Sequence, residues 1–184
     1  MLNSVLIKPF AFHRKKKQRG LSLLEAMSVL AIFAFVVAGV MIYLQNAMTN
    51  NRQNELMGQV AAIQSTVTSF YAGQSTYTGL NTALISQSDA LPAKMIGAGN
   101  TIKHSFKDDI TVTTGAGNDT YVITANGIPR DACQKIVTMD LGKNMVSMRT
   151  SDHAAGVSKQ SYTPANAHTQ ACTSTDVNIT WEFY

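Results

Sequence analysis

From Ala26 to Leu44 the chain reads AMSVLAIFAFVVAGVMIYL, and no charged residue occurs from Ala26 through Asn51. As a helix rising 1.5 Å per residue, this apolar run reaches about 28 Å, close to one hydrocarbon crossing. Its length and composition read as a membrane span. No proline lies between Gly20 and Leu91, and nothing breaks the helix where the apolar run ends. Beyond it Leu56, Val60, Ile63, Val67 and Phe70 recur at spacings of four and three, the stripe of a helix with one face to bury. Tyr71 widens that face, while Gln53, Gln59, Gln64 and Thr68 are expected off it. One helix from about Leu23 to Tyr71 is predicted, apolar all round in its first half and one-sided in its second. Gly39 and Gly58, each about 1 kcal/mol worse than alanine in a helix, are its weak points.

The overall charge of +4 is unevenly placed. Residues 1–20 hold Lys8, Arg14, Lys15, Lys16, Lys17 and Arg19 without an acid, which leaves nine cations against eleven anions, a net of −2, in the remainder. Nucleic-acid binding by that remainder is not expected, because counterion release needs a Lys/Arg cluster and none is left. Basic residues ahead of an apolar segment hold that end in the cytoplasm and send the downstream chain outward. In an oxidising compartment the lone pair Cys133 and Cys172 is most simply a disulfide, with two buried free thiols as the alternative. Such a bridge closes a loop of about forty residues, worth roughly 4 kcal/mol in the chain-entropy treatment.

A secretory signal peptide also has a basic start and an apolar core, and Val36-Val37-Ala38 offers a cleavage site before Gly39. Against it, Glu25 stands between the basic cluster and the core, and the apolar run continues past that cut to Leu44. An acid in a span is disfavoured by about 2.5–3.5 kcal/mol at the bilayer centre, less near the interface, and usually marks function or a partner. The plain alternative is a side chain snorkelling among headgroups. A cut after Gly20 frees the amine of Leu21 one helical turn from Glu25, where the two can pair within a chain or between offset neighbouring helices.

Lys15-Lys16-Lys17-Gln18-Arg19-Gly20 followed by Leu21-Ser22-Leu23-Leu24-Glu25 and a long apolar helix resembles the prepilin motif of type IV pilins. The resemblance implies cleavage after Gly20 by prepilin peptidase, N-methylation of Leu21, and Glu25 as the assembly glutamate at the fifth mature position. The twenty-residue leader and an aliphatic Leu21 in place of phenylalanine resemble the type IVb subclass. Within it the chain is most similar to the bundlins, the bundle-forming pilins, through Ala38-Gly39-Val40-Met41, Tyr71-Ala72-Gly73-Gln74, Tyr77-Thr78-Gly79-Leu80, Ala132-Cys133, Leu141-Gly142 and Thr163-Pro164-Ala165 leading to Ala171-Cys172. The organisation implied is a leader over 1–20, a transmembrane and polymerisation segment over 21–51, and a globular pilin domain over 52–184. Such a subunit waits in the inner membrane with its C-terminal domain in the periplasm. Inner-membrane assembly machinery then polymerises it with copies of itself into extracellular fibres used for adhesion, aggregation or mating. Type II secretion pseudopilins share the N-terminal motif, so a minor pilin or pseudopilin stays open, as does a Sec-secreted binding protein.

After Tyr71 the composition turns to Gly, Ser, Thr and Asn, and Gly73 to about Lys107 carries few regular signals beyond a short helix near Thr82–Ser86. Strand patterns follow at Ile110–Thr113, Thr120–Thr124, Met145–Met148 and Val177–Phe183. Gly115-Ala116-Gly117-Asn118-Asp119 makes the first two a hairpin. Pro129–Met139 reads as a helix carrying Cys133, and Thr163-Pro164 opens another ending near Cys172, so the bridge would tie two helical segments across the sheet edge. The fold class is α+β: the long helix packs its second half on an antiparallel sheet with one disulfide, and the resemblance puts the last strand inside that sheet. No enzyme is indicated. His13, His104, His153 and His168 stand apart, no HExxH, GxSxG or Walker loop occurs, and neither a catalytic residue, a metal nor a cofactor is expected. Asp108-Asp109 reads as a solvated turn rather than a calcium site. Lys94, Lys103, Lys143, Lys159 and nearby acids are expected to govern subunit contacts and fibre bundling.

Overall fold

A computed structural model describes residues 22–158 and 161–184. Helix α1 spans Leu23–Phe70, as the pattern requires, and passes through Gly39 and Gly58 without interruption. The chain divides between Tyr43 and Leu44 into two units. In the first, Leu23, Met27, Leu30, Phe33, Phe35 and Tyr43 are all exposed. In the second, Leu56, Val60, Ile63 and Val67 are fully buried.

What buries them is a seven-stranded antiparallel sheet. Its strands are β1 (Ile96–Gly97), β2 (Thr101–Lys103), β3 (Asp109–Thr114), β4 (Tyr121–Pro129), β5 (Met145–Thr150), β6 (Val157–Ser158) and β7 (Asp176–Phe183). The order is β1-β2-β3-β4-β7-β5-β6, so the strand latest in the chain lies inside the sheet. Alternation along β7 sends Val177, Ile179, Trp181 and Phe183 into the core and leaves Asn178, Thr180 and Glu182 on the other face. Tyr121, Ile123 and Ala125 of β4 and Met148 of β5 join the same core. At about 25 cal/mol per Å² of apolar surface, each such aliphatic or aromatic side chain contributes about 1.5–3 kcal/mol.

The hairpin expected around Gly115–Asp119 is β3–β4, closed by the pair Thr114 and Tyr121. β4 runs on past Thr124 to Pro129 through an irregularity between Ala125 and Ile128. Gly127 sits there at φ +59°, and a β-carbon on it would collide with the Asp108 carboxylate. Helix α2 (Thr82–Ser86) is capped by Asn81, whose Oδ1 accepts the Leu84 N–H at 2.9 Å. Helix α3 (Arg130–Ile136) is shorter than the expected Pro129–Met139. Thr163 caps α4 (Pro164–Asn166), which passes into a π turn over Ala167–Ala171 just before Cys172.

Several expectations need correction. Phe70 is 47% exposed, so the buried stripe ends at Val67. Gln53 and Gln59, expected off the buried face, are only 2% and 6% exposed. For Gln59 the reason is local: its Oε1 accepts the Ser105 N–H at 3.1 Å, while Ser105 Oγ donates to the Arg52 carbonyl at 2.6 Å, so the β2–β3 turn lies on α1. The stretch after Gly73 contains β1 and β2, strands too short to show alternation, besides a 3-10 turn at Ala93–Met95. Asp108-Asp109 is only half a turn, because Asp109 opens β3 and pairs with Lys103 at 2.8 Å.

Replacing Ile63 by Ala should destabilise the globular unit by about 2–5 kcal/mol, whereas Phe35→Ala should leave its unfolding transition in place. Thermal unfolding of the detergent-solubilised protein distinguishes the two.

Candidate assembly site

The start of α1 is built by Ser22. Its Oγ accepts the Glu25 N–H at 3.2 Å and its carbonyl accepts the Glu25 and Ala26 N–H groups at 2.9 and 3.0 Å. Ser22-Leu23-Leu24-Glu25 has the S-x-x-E spacing of a capping box, a signal that locates the first turn from sequence. Glu25 therefore stands in the opening turn, exposed, at the helix end whose free N–H groups favour an acid. Gly20 and Leu21, expected at the cleavage and methylation site, lie outside the described residues.

Beyond Glu25, as far as Leu44, the exposed surface is apolar apart from the Ser28 and Tyr43 hydroxyls. Leu24 and Phe35 are both about four-fifths exposed, at 81% and 80%. Val29, Ile32, Phe33 and Val36 line a shallow groove at helical spacing. The helix is long and apolar enough to cross a membrane. Contiguous apolar surface on this scale is not left to water, and lipid or other apolar helices are its natural neighbours. What this end offers chemically is one acid amid hydrocarbon, a feature suited to pairing with a cation at the same depth.

In the globular unit Cys133 and Cys172 form the disulfide, joining α3 to the end of the π turn over a separation of 39 residues. It joins the helix that follows β4 to the turn that precedes β7, two strands whose ends are paired at Pro129 and Asp176. Arg130 supports it, donating from Nε to the Cys172 carbonyl at 3.1 Å. The next residues are held by Asp152, which sequence reasoning did not single out. Its Oδ2 accepts from Thr173 N–H, Thr173 Oγ1 and Ser174 N–H at 2.7, 2.9 and 2.8 Å, and its Oδ1 from Ser174 Oγ at 2.9 Å. Burial pushes the Asp152 carboxyl up, but these hydrogen bonds, led by the Ser174 N–H, outweigh it and hold the group at about 2.

The histidines do not converge. His104 is buried and lies 2.7 Å from the Asn126 carbonyl through Nε2, while its Nδ1 accepts the Phe106 N–H, and burial lowers its affinity for a proton. His153 meets Tyr162 and His168 meets Gln134; His13 is outside the described residues. No group of metal-ligating side chains occurs among the described residues. Lys94 pairs with Glu55 at 2.6 Å and Lys103 with Asp109, Lys143 lines a groove beside Tyr184, and Lys159 is not among the described residues.

The clamp on Thr173 and Ser174 requires ionised Asp152. Its stabilising effect is present above the ordinary carboxyl value of 3.8 and is lost as pH falls through about 2. Asp152→Asn should therefore unfold at a lower temperature than the parent at neutral pH. The two melting temperatures should converge as the pH is taken from about 4 to about 2.

Comparison with known proteins agrees with this geometry. The family described as Bundlin matches residues 45–183, and that described as Prokaryotic N-terminal methylation motif matches residues 15–41. The chain is 32% identical over 178 residues to the major structural subunit of bundle-forming pilus of Escherichia coli O127:H6 (strain E2348/69 / EPEC), covering 88% of this chain and 91% of that one. The protein of the same description from Escherichia coli O111:H- matches with the same identity and coverage. Among solved structures, the type IV b pilin from Salmonella typhi is similar in fold, with a TM-score of 0.53, 19% identity and coverage of 70% and 95%. So is TcpA, a type IV pilin from Vibrio cholerae El Tor biotype, with a TM-score of 0.51, 15% identity and coverage of 73% and 99%.

Proposed function

The chain belongs to the bundlin family of type IV pilins, and from that premise we propose that it is the major structural subunit of a type IVb, bundle-forming pilus. It is a filament subunit and not an enzyme. The observation that carries the reading is a match extending through residues 45–183, far past the N-terminal motif that pilins share with pseudopilins.

The proposed life of the subunit follows from the two halves of α1. Residues 1–20 are a leader removed by prepilin peptidase after Gly20, and Leu21 becomes the methylated N-terminus. Residues 21–51 hold the protein in the inner membrane, with the globular domain, 52–184, in the periplasm. Inner-membrane assembly machinery then draws subunits together, and the apolar half of α1 exchanges lipid for the same half of neighbouring copies in a helical filament that extends from the cell surface. Burying Glu25 in that bundle without a partner is costly, since an uncompensated charge in a low dielectric forfeits its solvation. The N-terminal amine of an axially offset neighbour supplies the opposite charge at the same depth. Glu25 thus fixes register during assembly.

Sheared surface fibres should contain this polypeptide as their main band, and its N-terminal residue should be methylated Leu21. A main band beginning at Gly39, or fibres lacking the chain, sinks the reading. Glu25→Ala should be inserted and processed as the parent is, yet give few or no fibres by electron microscopy; a normal fibre yield removes the registration role.

A further inference from the structure

The sheet face turned away from the core presents two side-by-side rows of residues. Thr111, Thr124, Thr180 and Arg149 stand in register across β3, β4, β7 and β5, and beside them run Thr113, Val122, Glu182 and Ser147. None of the eight is buried. A hydrogen bond of 3.1 Å between Thr124 and Thr180 ties the middle of the first row, and Glu182 is fixed by Thr120 Oγ1 and Ser147 Oγ, both at 2.9 Å. Only two of the eight carry charge, and their signs are opposite. Arg149 is exposed and makes no ion pair among the described residues.

We propose that this hydroxyl-rich face is the surface through which one pilus binds another, a second copy of the same face being the partner. The proposal rests on the pilus-subunit reading above. Two identical faces brought together about a two-fold axis make every contact twice, residue i on j and j on i. Arg149 of one copy then meets Glu182 of the other, and the reciprocal pair forms at the same time. The remaining six residues are neutral, and the charged neighbours Lys103 and Asp109 in the next row of this face are paired with each other. Lys94 and Lys103 already have acidic partners within the chain, Glu55 and Asp109, whereas Arg149 has none among the described residues.

The area involved also fits. Four strands about 4.8 Å apart and two rows deep present on the order of 260 Å² per copy, against roughly 800 Å² per partner in a stable complex. One contact is too small to hold two free subunits. Repetition along parallel-lying fibres multiplies it through effective concentration. Bundling is then a property of the filament, sensitive to salt because exposed pairs are screened.

The test is charge exchange, read by electron microscopy of fibres from cells making the full chain. Arg149→Glu and Glu182→Arg alone should each give fibres in parental amount but dispersed as single filaments, and the double variant R149E/E182R should restore bundles. Should Glu182→Arg fail to yield fibres through loss of its bonds to Thr120 and Ser147, Thr180→Lys serves instead, because Thr180 lies between Arg149 and Glu182, next to the two-fold axis, and its substitution sets two lysines against each other and should disperse bundles. Lys143→Glu, on the groove beside Tyr184, should leave bundles intact. Bundles that persist in Arg149→Glu and Thr180→Lys overturn the proposal, as does equal dispersal by Lys143→Glu. Absence of fibres from the parent chain overturns the pilus-subunit reading itself, a result distinct from these.

Discussion

The packing of Leu56, Val60, Ile63 and Val67 against Ile123, Ile179, Trp181 and Phe183 is the contact on which everything else hangs. It converts the second half of a long helix into the spine of a globular unit. The same helix carries, in its first half, side chains for which that unit provides no cover. One continuous element is therefore satisfied at one end by its own chain and at the other only by lipid or by other helices. The division of labour follows from where the apolar residues are placed, all round or on one stripe, with no change of backbone.

Much of this was legible in the residues, and the reasons differ by region. Helix α1 announced itself because periodicity over many turns accumulates, and no proline contradicts it. β3, β4, β5 and β7 were visible as short β-branched runs, and the Thr163-Pro164 cap lies where a proline is tolerated in a first turn. β1, β2 and β6 were invisible because two or three residues cannot display an alternation. Their existence is tertiary, produced by pairing with neighbours already in place. The polar side chains misjudged on α1 have the same origin. Gln59 looks like a solvent residue until the β2–β3 turn brings it the Ser105 N–H.

At the N-terminal end of α1 the sequence carried more than geometry adds. Glu25 could be singled out because a charge in an apolar run is costly, and the cost itself is the signal. Asp152 illustrates the opposite case. It is one acid among eleven, and nothing local foretells that it gathers hydrogen bonds from Thr173 and Ser174, some twenty residues later in the chain. Its importance arises only after the disulfide and β7 have set the loop beside it. Local charge patterns expose groups that conflict with their surroundings, while groups that agree with theirs stay hidden.

The interior place of β7 also governs when the sheet can close. The strands that precede it form two blocks, β1 to β4 and β5 with β6, and the two are joined in the sheet only through β7. A chain in which β1 to β6 have formed without β7 therefore holds an open seam between the two blocks. Loss of β7 would leave β4 and β5 as unpaired edges on either side of that seam, where strands of another copy could add.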